Sequence, residues 1–173
     1  LNVRIHLTAT PYPQAVLRKI EPLTARLEVR WRLAERLIGF GLGVHFSVSP
    51  TIPVITDSKT VLEFADTIAR TVPLGFTVDS MQAYGPSFEA TDAALSGMKE
   101  WDQARDIIRN PKLYSAWKRD HHQEWEQVWK PYSQLPIFAI SMDHQGKTRR
   151  DLSTGEPIDF KSFQYPRVAK KPD

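Results

Sequence analysis

The sequence predicts a mixed α/β (α+β) fold. A ferredoxin-like split β-α-β layer over residues 1–85 precedes a helical and extended C-terminal extension over residues 86–173. Three observations lead there. Apolar residues alternate at Val3, Ile5, Leu7 and Ala9, and again at Val44, Phe46 and Val48, as in half-buried strands. Helical spacing follows each run, first at Val16 or Leu17, Ile20, Leu23 and Leu27, then at Val61, Ala65, Ile68 and Val72. Beyond residue 112, Leu113, Trp117, His121, Trp125, Val128 and Trp129 share one side of a long helix.

Taken in order, Pro11 and Pro13 end the first strand and Pro13 opens the first helix, which Pro22 should kink or restart. Glu28 to Leu37, with Arg30, Arg32 and Arg36 around Trp31 and Leu33, reads as a second extended region. Gly39, Gly41 and Gly43 then supply a pliable connection to the strand Val44–Ser49. Pro50 and Pro53 close that strand, and Asp57 or Ser58 can cap a helix over Lys59–Thr71. Pro73 and Gly75 stop this helix before a strand at Phe76–Met81.

Residues 86–112 are polar and read as irregular or loosely helical, anchored by Trp101 and by Ile107 with Ile108. The tryptophan helix over 113–129 follows, then a strand near 137–142 and a turn at His144–Gly146. The basic tail from Lys147 places Phe160, Phe163 and Tyr165 among proline and lysine, a composition suited to lying along a partner. Trp117, Trp125 and Trp129 either cover the domain's own sheet or dock another protein.

Composition narrows the functions open to the chain. It has 173 residues, 41% of them hydrophobic and 25% charged, as globular domains do. No apolar run approaches the roughly 20 residues that span a bilayer, so no membrane span is expected. The absence of cysteine removes disulfides, thiolate nucleophiles and cysteine-ligated metals. His121 and His122 are adjacent on one helix and point to different sides, so no metal site and no cofactor is expected. Residues 39–43 lack the spacing of a dinucleotide-binding turn and lead into a strand.

The net charge of +3 divides unevenly. Residues 1–36 carry seven Lys/Arg against three acids, residues 37–143 nine against thirteen, and residues 144–173 seven against four. Basic ends of this kind suit phosphate. Arg4, Arg30, Arg32, Arg36, Lys147, Arg149 and Arg150 are therefore the candidate RNA phosphate contacts.

One constellation could carry chemistry. In a strand, residues two apart share a face, so His6 pairs with Thr8 and His45 with Ser47. Two such pairs meeting in a cleft could work on a phosphodiester. One imidazole would deprotonate the attacking oxygen, the other would protonate the leaving oxygen, and the hydroxyls would hold phosphate oxygens. The two pairs resemble the repeated His-x-Thr/Ser motif of the 2H phosphoesterases. That resemblance implies an RNA cyclic phosphodiesterase with His6, Thr8, His45 and Ser47 as its catalytic residues.

A competing resemblance covers residues 1–82. The strand Asn2–Ala9 is similar to the basic opening strand of the small-subunit ribosomal protein ten family. Lys59–Val78 resembles that family's second helix, its Leu-Pro-x-Gly-Val turn and its final strand. The family's mitochondrial large-subunit relative, protein forty-eight, shares the pattern.

This resemblance implies a non-catalytic structural subunit of a large mitochondrial assembly, most specifically a ribosome. Its partners would be rRNA and neighbouring proteins, with no small-molecule substrate. The start at Leu1 would fit a removed mitochondrial presequence. A third reading makes the chain an accessory subunit of a respiratory or other mitochondrial protein complex, docked through the tryptophan helix and the tail.

Overall fold

A computed structural model describes residues 3–142 and 149–158. Strand β1 (Arg4–Thr8) is followed by two helices, α1 (Gln14–Ile20) and α2 (Leu27–Gly39), and then by β2 (Gly43–Thr51). Helix α3 (Ser58–Thr71) leads to β3 (Gly75–Ser80). Three consecutive helices, α4 (Pro86–Leu95), α5 (Lys99–Arg109) and α6 (Pro111–Trp129), return the chain to β4 (Phe138–Met142) and β5 (Arg149–Asp151).

Among the described residues the strands form one five-stranded sheet in the order β1-β2-β3-β4-β5. The first four are parallel and β5 is antiparallel to β4. The α+β class therefore holds, but the split, ferredoxin-like arrangement is not the one the chain adopts. The cause lies in residues 28–37, which are helical rather than extended. Leu27, Trp31, Ala34 and Ile38 recur every three or four residues and pack on the core, and arginine is a good helix former. With a helix there, β1 reaches β2 by a crossover, and a crossover makes parallel neighbours.

Helices α2, α3 and the C-terminal half of α6 bury one face of the sheet. Val44, Phe46, Val48, Phe76, Val78 and Ala139 meet Ala34, Phe64, Ala65, Ile68, Trp125 and Trp129 there. A second apolar cluster fills the C-terminal ends of the strands, where Tyr12, Ile52 and Met81 meet Val16, Phe88, Leu95, Trp101 and Ile108. Residues 86–109 are thus well-formed helices, each burying only a narrow stripe: Phe88, Thr91 and Leu95 in α4, and Trp101, Ala104 and Ile108 in α5.

Caps explain two of the helix starts. The Asp57 carboxylate accepts the Thr60 N–H at 2.8 Å, and the Asn110 side chain accepts from Lys112 and Leu113 at 3.1 and 3.3 Å.

Among the described residues, elements on the two sides of residue 85 share one sheet and one core. Strand β4 pairs directly with β3, and Trp125 and Trp129 lie 5.8 and 4.7 Å from the Phe76 ring centroid. The turn at 144–146, Lys147 and the aromatic residues of the tail lie outside the described residues.

Candidate functional site

The register of β1 against β2 sets His6 opposite His45 and Thr8 opposite Ser47, all on the sheet face away from the core helices. The two imidazole centroids are 4.9 Å apart. The next strand adds Thr77, whose hydroxyl lies 2.9 Å from His45 Nε2. Gly75 makes room for this arrangement. A Cβ there would stand 2.5 Å from the Phe138 carbonyl oxygen and 3.1 Å from His45 Nδ1.

The structure thus joins the four residues that the phosphodiesterase reading needs, but their environments differ. His6 and Thr8 are exposed, whereas His45 is only 3% exposed. Burial, then the charges of His6 and Arg4, push the His45 pKa from an ordinary 6.5 down to about 4, so its ring is neutral near pH 7. Asp79, farther along the same face, moves the opposite way. Burial raises its pKa against the opposing pull of the Ser80 N–H and the charges of Arg149 and Lys118.

The proposed phosphate contacts fare unequally. Arg30 is committed to the fold. Its guanidinium donates to the Thr8 carbonyl at 2.9 Å, to the Ala25 carbonyl at 2.9 Å, to the Thr24 hydroxyl at 2.7 Å, and to Glu21 in an ion pair. Thr10 also donates to Glu21, at 3.2 Å. Burial alone would raise the Glu21 pKa, but hydrogen bonds from Arg30 and Thr24 together with the Arg30 charge hold it below the usual range. This network clips β1, α1 and α2 together and engages four of the five Arg30 N–H donors.

Arg150 donates to the Gly155 carbonyl at 2.8 Å. Arg4 and Arg149 serve the electrostatics of His45 and Asp79. Arg32 and Arg36 are exposed on α2 and enter no ion pair among the described residues.

The structure adds three exposed cations that motif reasoning passed over. Arg18 and Lys19 sit in the last turn of α1, and Arg26 stands at the start of α2. Arg18 and Arg26 line a groove of about 340 Å³ between the two helices, together with Gln14 and Ala25. The only sequence signal was the charge excess of residues 1–36 taken as a block. A shallower trough of about 410 Å³ runs past β1, lined by His6, Leu7, Thr8, Glu21, Thr24 and Arg30.

The tryptophan helix does not present a docking stripe. Trp125 and Trp129 are fully buried in the core, and Trp117 is partly buried, stacked 5.8 Å from Tyr114 and 4.7 Å from His121. His121 accepts the Trp125 indole N–H at 3.1 Å and faces Glu124 at 3.3 Å, while His122 faces Glu126 at 3.0 Å. Among the described residues no group of three or more His, Asp or Glu could hold a metal ion, and no helix is long and apolar enough to cross a membrane.

No family model, curated protein or solved structure matches the chain.

Proposed function

We propose that this chain is a non-catalytic structural subunit of a large assembly, with the mitochondrial ribosome as the specific case. The observation that supports the reading best is the α1–α2 limb. Arg18, Lys19 and Arg26 stand exposed there, without an ion pair among the described residues, and Leu23 beside them is 98% exposed. Glu21, an acid that lines the same groove, is already paired with Arg30. A groove flanked by two guanidinium groups suits an RNA phosphate, because arginine grips phosphate oxygens in pairs. The burial of Trp125 and Trp129 fits a chain whose partner contacts lie on this limb rather than on α6.

The test is photo-crosslinking in the native particle, with wild type and an Arg18→Glu/Arg26→Glu variant. The reading expects an RNA crosslink at the α1–α2 limb that the variant loses. RNA crosslinks absent from wild type would overturn the RNA contact.

A second reading rests on the ladder of His6 with His45 and Thr8 with Ser47, 2H-type phosphodiester chemistry being its content. The buried, neutral His45 would serve as the base and the exposed His6 as the acid. Turnover of a 2′,3′-cyclic nucleotide by wild type and its loss in both His6→Ala and His45→Gln would favour it. Absence of turnover would remove it.

A further inference from the structure

The solvent side of α2 carries an apolar stripe edged with arginine. At roughly 100° of rotation per residue, Leu27, Trp31, Ala34 and Ile38 point into the core. Val29, Leu33, Arg36 and Phe40 recur at steps of four, three and four and fall nearly opposite, with Arg32 beside them. The Phe40 N–H still bonds the Arg36 carbonyl at 3.0 Å, so Phe40 extends the last turn and the stripe. Its apolar members stand out from the core: Val29 is 43%, Leu33 45% and Phe40 82% exposed. Val29 and Leu33 share one open depression with Arg32 and Arg36, and Glu35 stands at its rim.

The charge along this stripe is positive and little opposed. Arg32 and Arg36 enter no ion pair among the described residues, and Arg26 adds a third exposed guanidinium at the entry to the helix. Glu28 and Glu35 lie on the shoulder beyond Arg32. Helix α3 packs on the same face of the sheet and is charge-balanced on its exposed side. There Lys59 faces Glu63 at 3.8 Å and Arg70 faces Asp66 at 3.1 Å.

We propose that the solvent side of α2 rests on an anionic lipid surface, with the helix axis in the plane of the interface. Phe40, Leu33 and Val29 would enter the boundary between headgroups and acyl chains, while the guanidinium groups stay at the level of the lipid phosphates. The three apolar side chains are spread singly along a convex rod about 20 Å long. A fluid surface takes up such side chains without a matching pocket. So thin a stripe does not anchor a protein by itself, so attraction of arginine to anionic lipid has to act with it. RNA would satisfy the arginines but leave Val29 and Leu33 in water. The inference goes beyond the rRNA contact, which uses the groove between α1 and α2.

The test uses the full chain and two kinds of vesicle, phosphatidylcholine alone and phosphatidylcholine with about one third phosphatidylserine. Wild type, Arg32→Glu/Arg36→Glu and Leu33→Gln/Phe40→Gln are sedimented with each. These substitutions change only exposed side chains, and matching unfolding midpoints show that the variants fold. The chain has no cysteine, so Phe40→Cys and a control, Leu113→Cys on α6, each carry a single environment-sensitive dye in otherwise unaltered protein.

The proposal expects binding to the phosphatidylserine vesicles and little to phosphatidylcholine alone. At about fivefold per arginine, Arg32→Glu/Arg36→Glu should weaken binding about 25-fold or more. Leu33→Gln/Phe40→Gln should weaken it about tenfold or more. The dye at residue 40 should shift to the blue on binding, and the dye at residue 113 should not. No binding to the phosphatidylserine vesicles, unchanged binding in either variant, or an equal shift at both dyes would overturn the proposal. An oligouridine that shifts the residue 40 dye where vesicles do not would make the stripe an RNA surface instead. Failure of the rRNA contact would appear separately, in the Arg18→Glu/Arg26→Glu arm of the crosslinking experiment.

Discussion

His45 should make this protein lose stability in mild acid. In the folded chain its pKa falls from 6.5 to about 4, first because the ring is buried and then because His6 and Arg4 lie close. In the unfolded chain it protonates near its ordinary value. Between those two values the unfolded state binds a proton that the folded state refuses, so stability falls as pH drops through that window. Above about pH 6.5 and below about pH 4 this residue contributes no slope. At about 1.4 kcal/mol per pH unit, the fall from 6.5 to about 4 corresponds to about 3 kcal/mol, a large share of a small domain's stability.

The assay is urea unfolding across this range for wild type and His45→Gln, which keeps a polar group for Thr77 but cannot titrate. Glu21 and Glu124, whose pKa values are lowered, also lose stabilisation in acid, at lower pH and equally in both proteins. The difference between the two curves therefore isolates the imidazole. Wild type should lose about 3 kcal/mol more than the variant on going from neutral pH to about pH 4. Parallel curves would refute the reasoning.

Further outcomes follow from the packing. Trp129→Ala should cost about 3–5 kcal/mol in chemical denaturation, because the ring is fully buried against Phe76. Gly75→Ala should cost about 1–3 kcal/mol, since its methyl would meet the Phe138 carbonyl; a neutral result would mean that β3 and β4 are not so close. Arg30→Met should lower stability by about 2 kcal/mol and speed amide exchange in α1, because Glu21 loses its ion pair and the Thr8 and Ala25 carbonyls lose a donor. Asp57→Ala should cost about 1 kcal/mol through its N-cap, measured as a shift in the unfolding midpoint.

Much of this fold is legible where local rules act alone. Helix α3 has its Asp57 cap and its stripe of Val61, Ala65 and Ile68, and α6 has its spaced tryptophans. Residues 28–37 misled because arginines beside Trp31 and Leu33 mimic alternation. The helical partners Leu27 and Ile38 lie at the margins of that window. That one helix decides whether β1 and β2 run parallel, and with it the topology of the sheet.

The candidate site was half legible. The residue types at 6, 8, 45 and 47 stand out, but their juxtaposition depends on a pairing register across 39 positions that no local signal contains. Thr77 and Gly75 join that site only through β3. Arg30 looked like a phosphate ligand because its partners, Thr8 and Glu21, are distant in sequence.

The central claim is membership of an RNA-containing assembly. Size fractionation of a native organelle lysate, following this chain and rRNA with and without RNase, tests it most directly. The account predicts co-migration with a large RNA particle, and release from it when RNase is added. Migration near 19.8 kDa in both samples would contradict it.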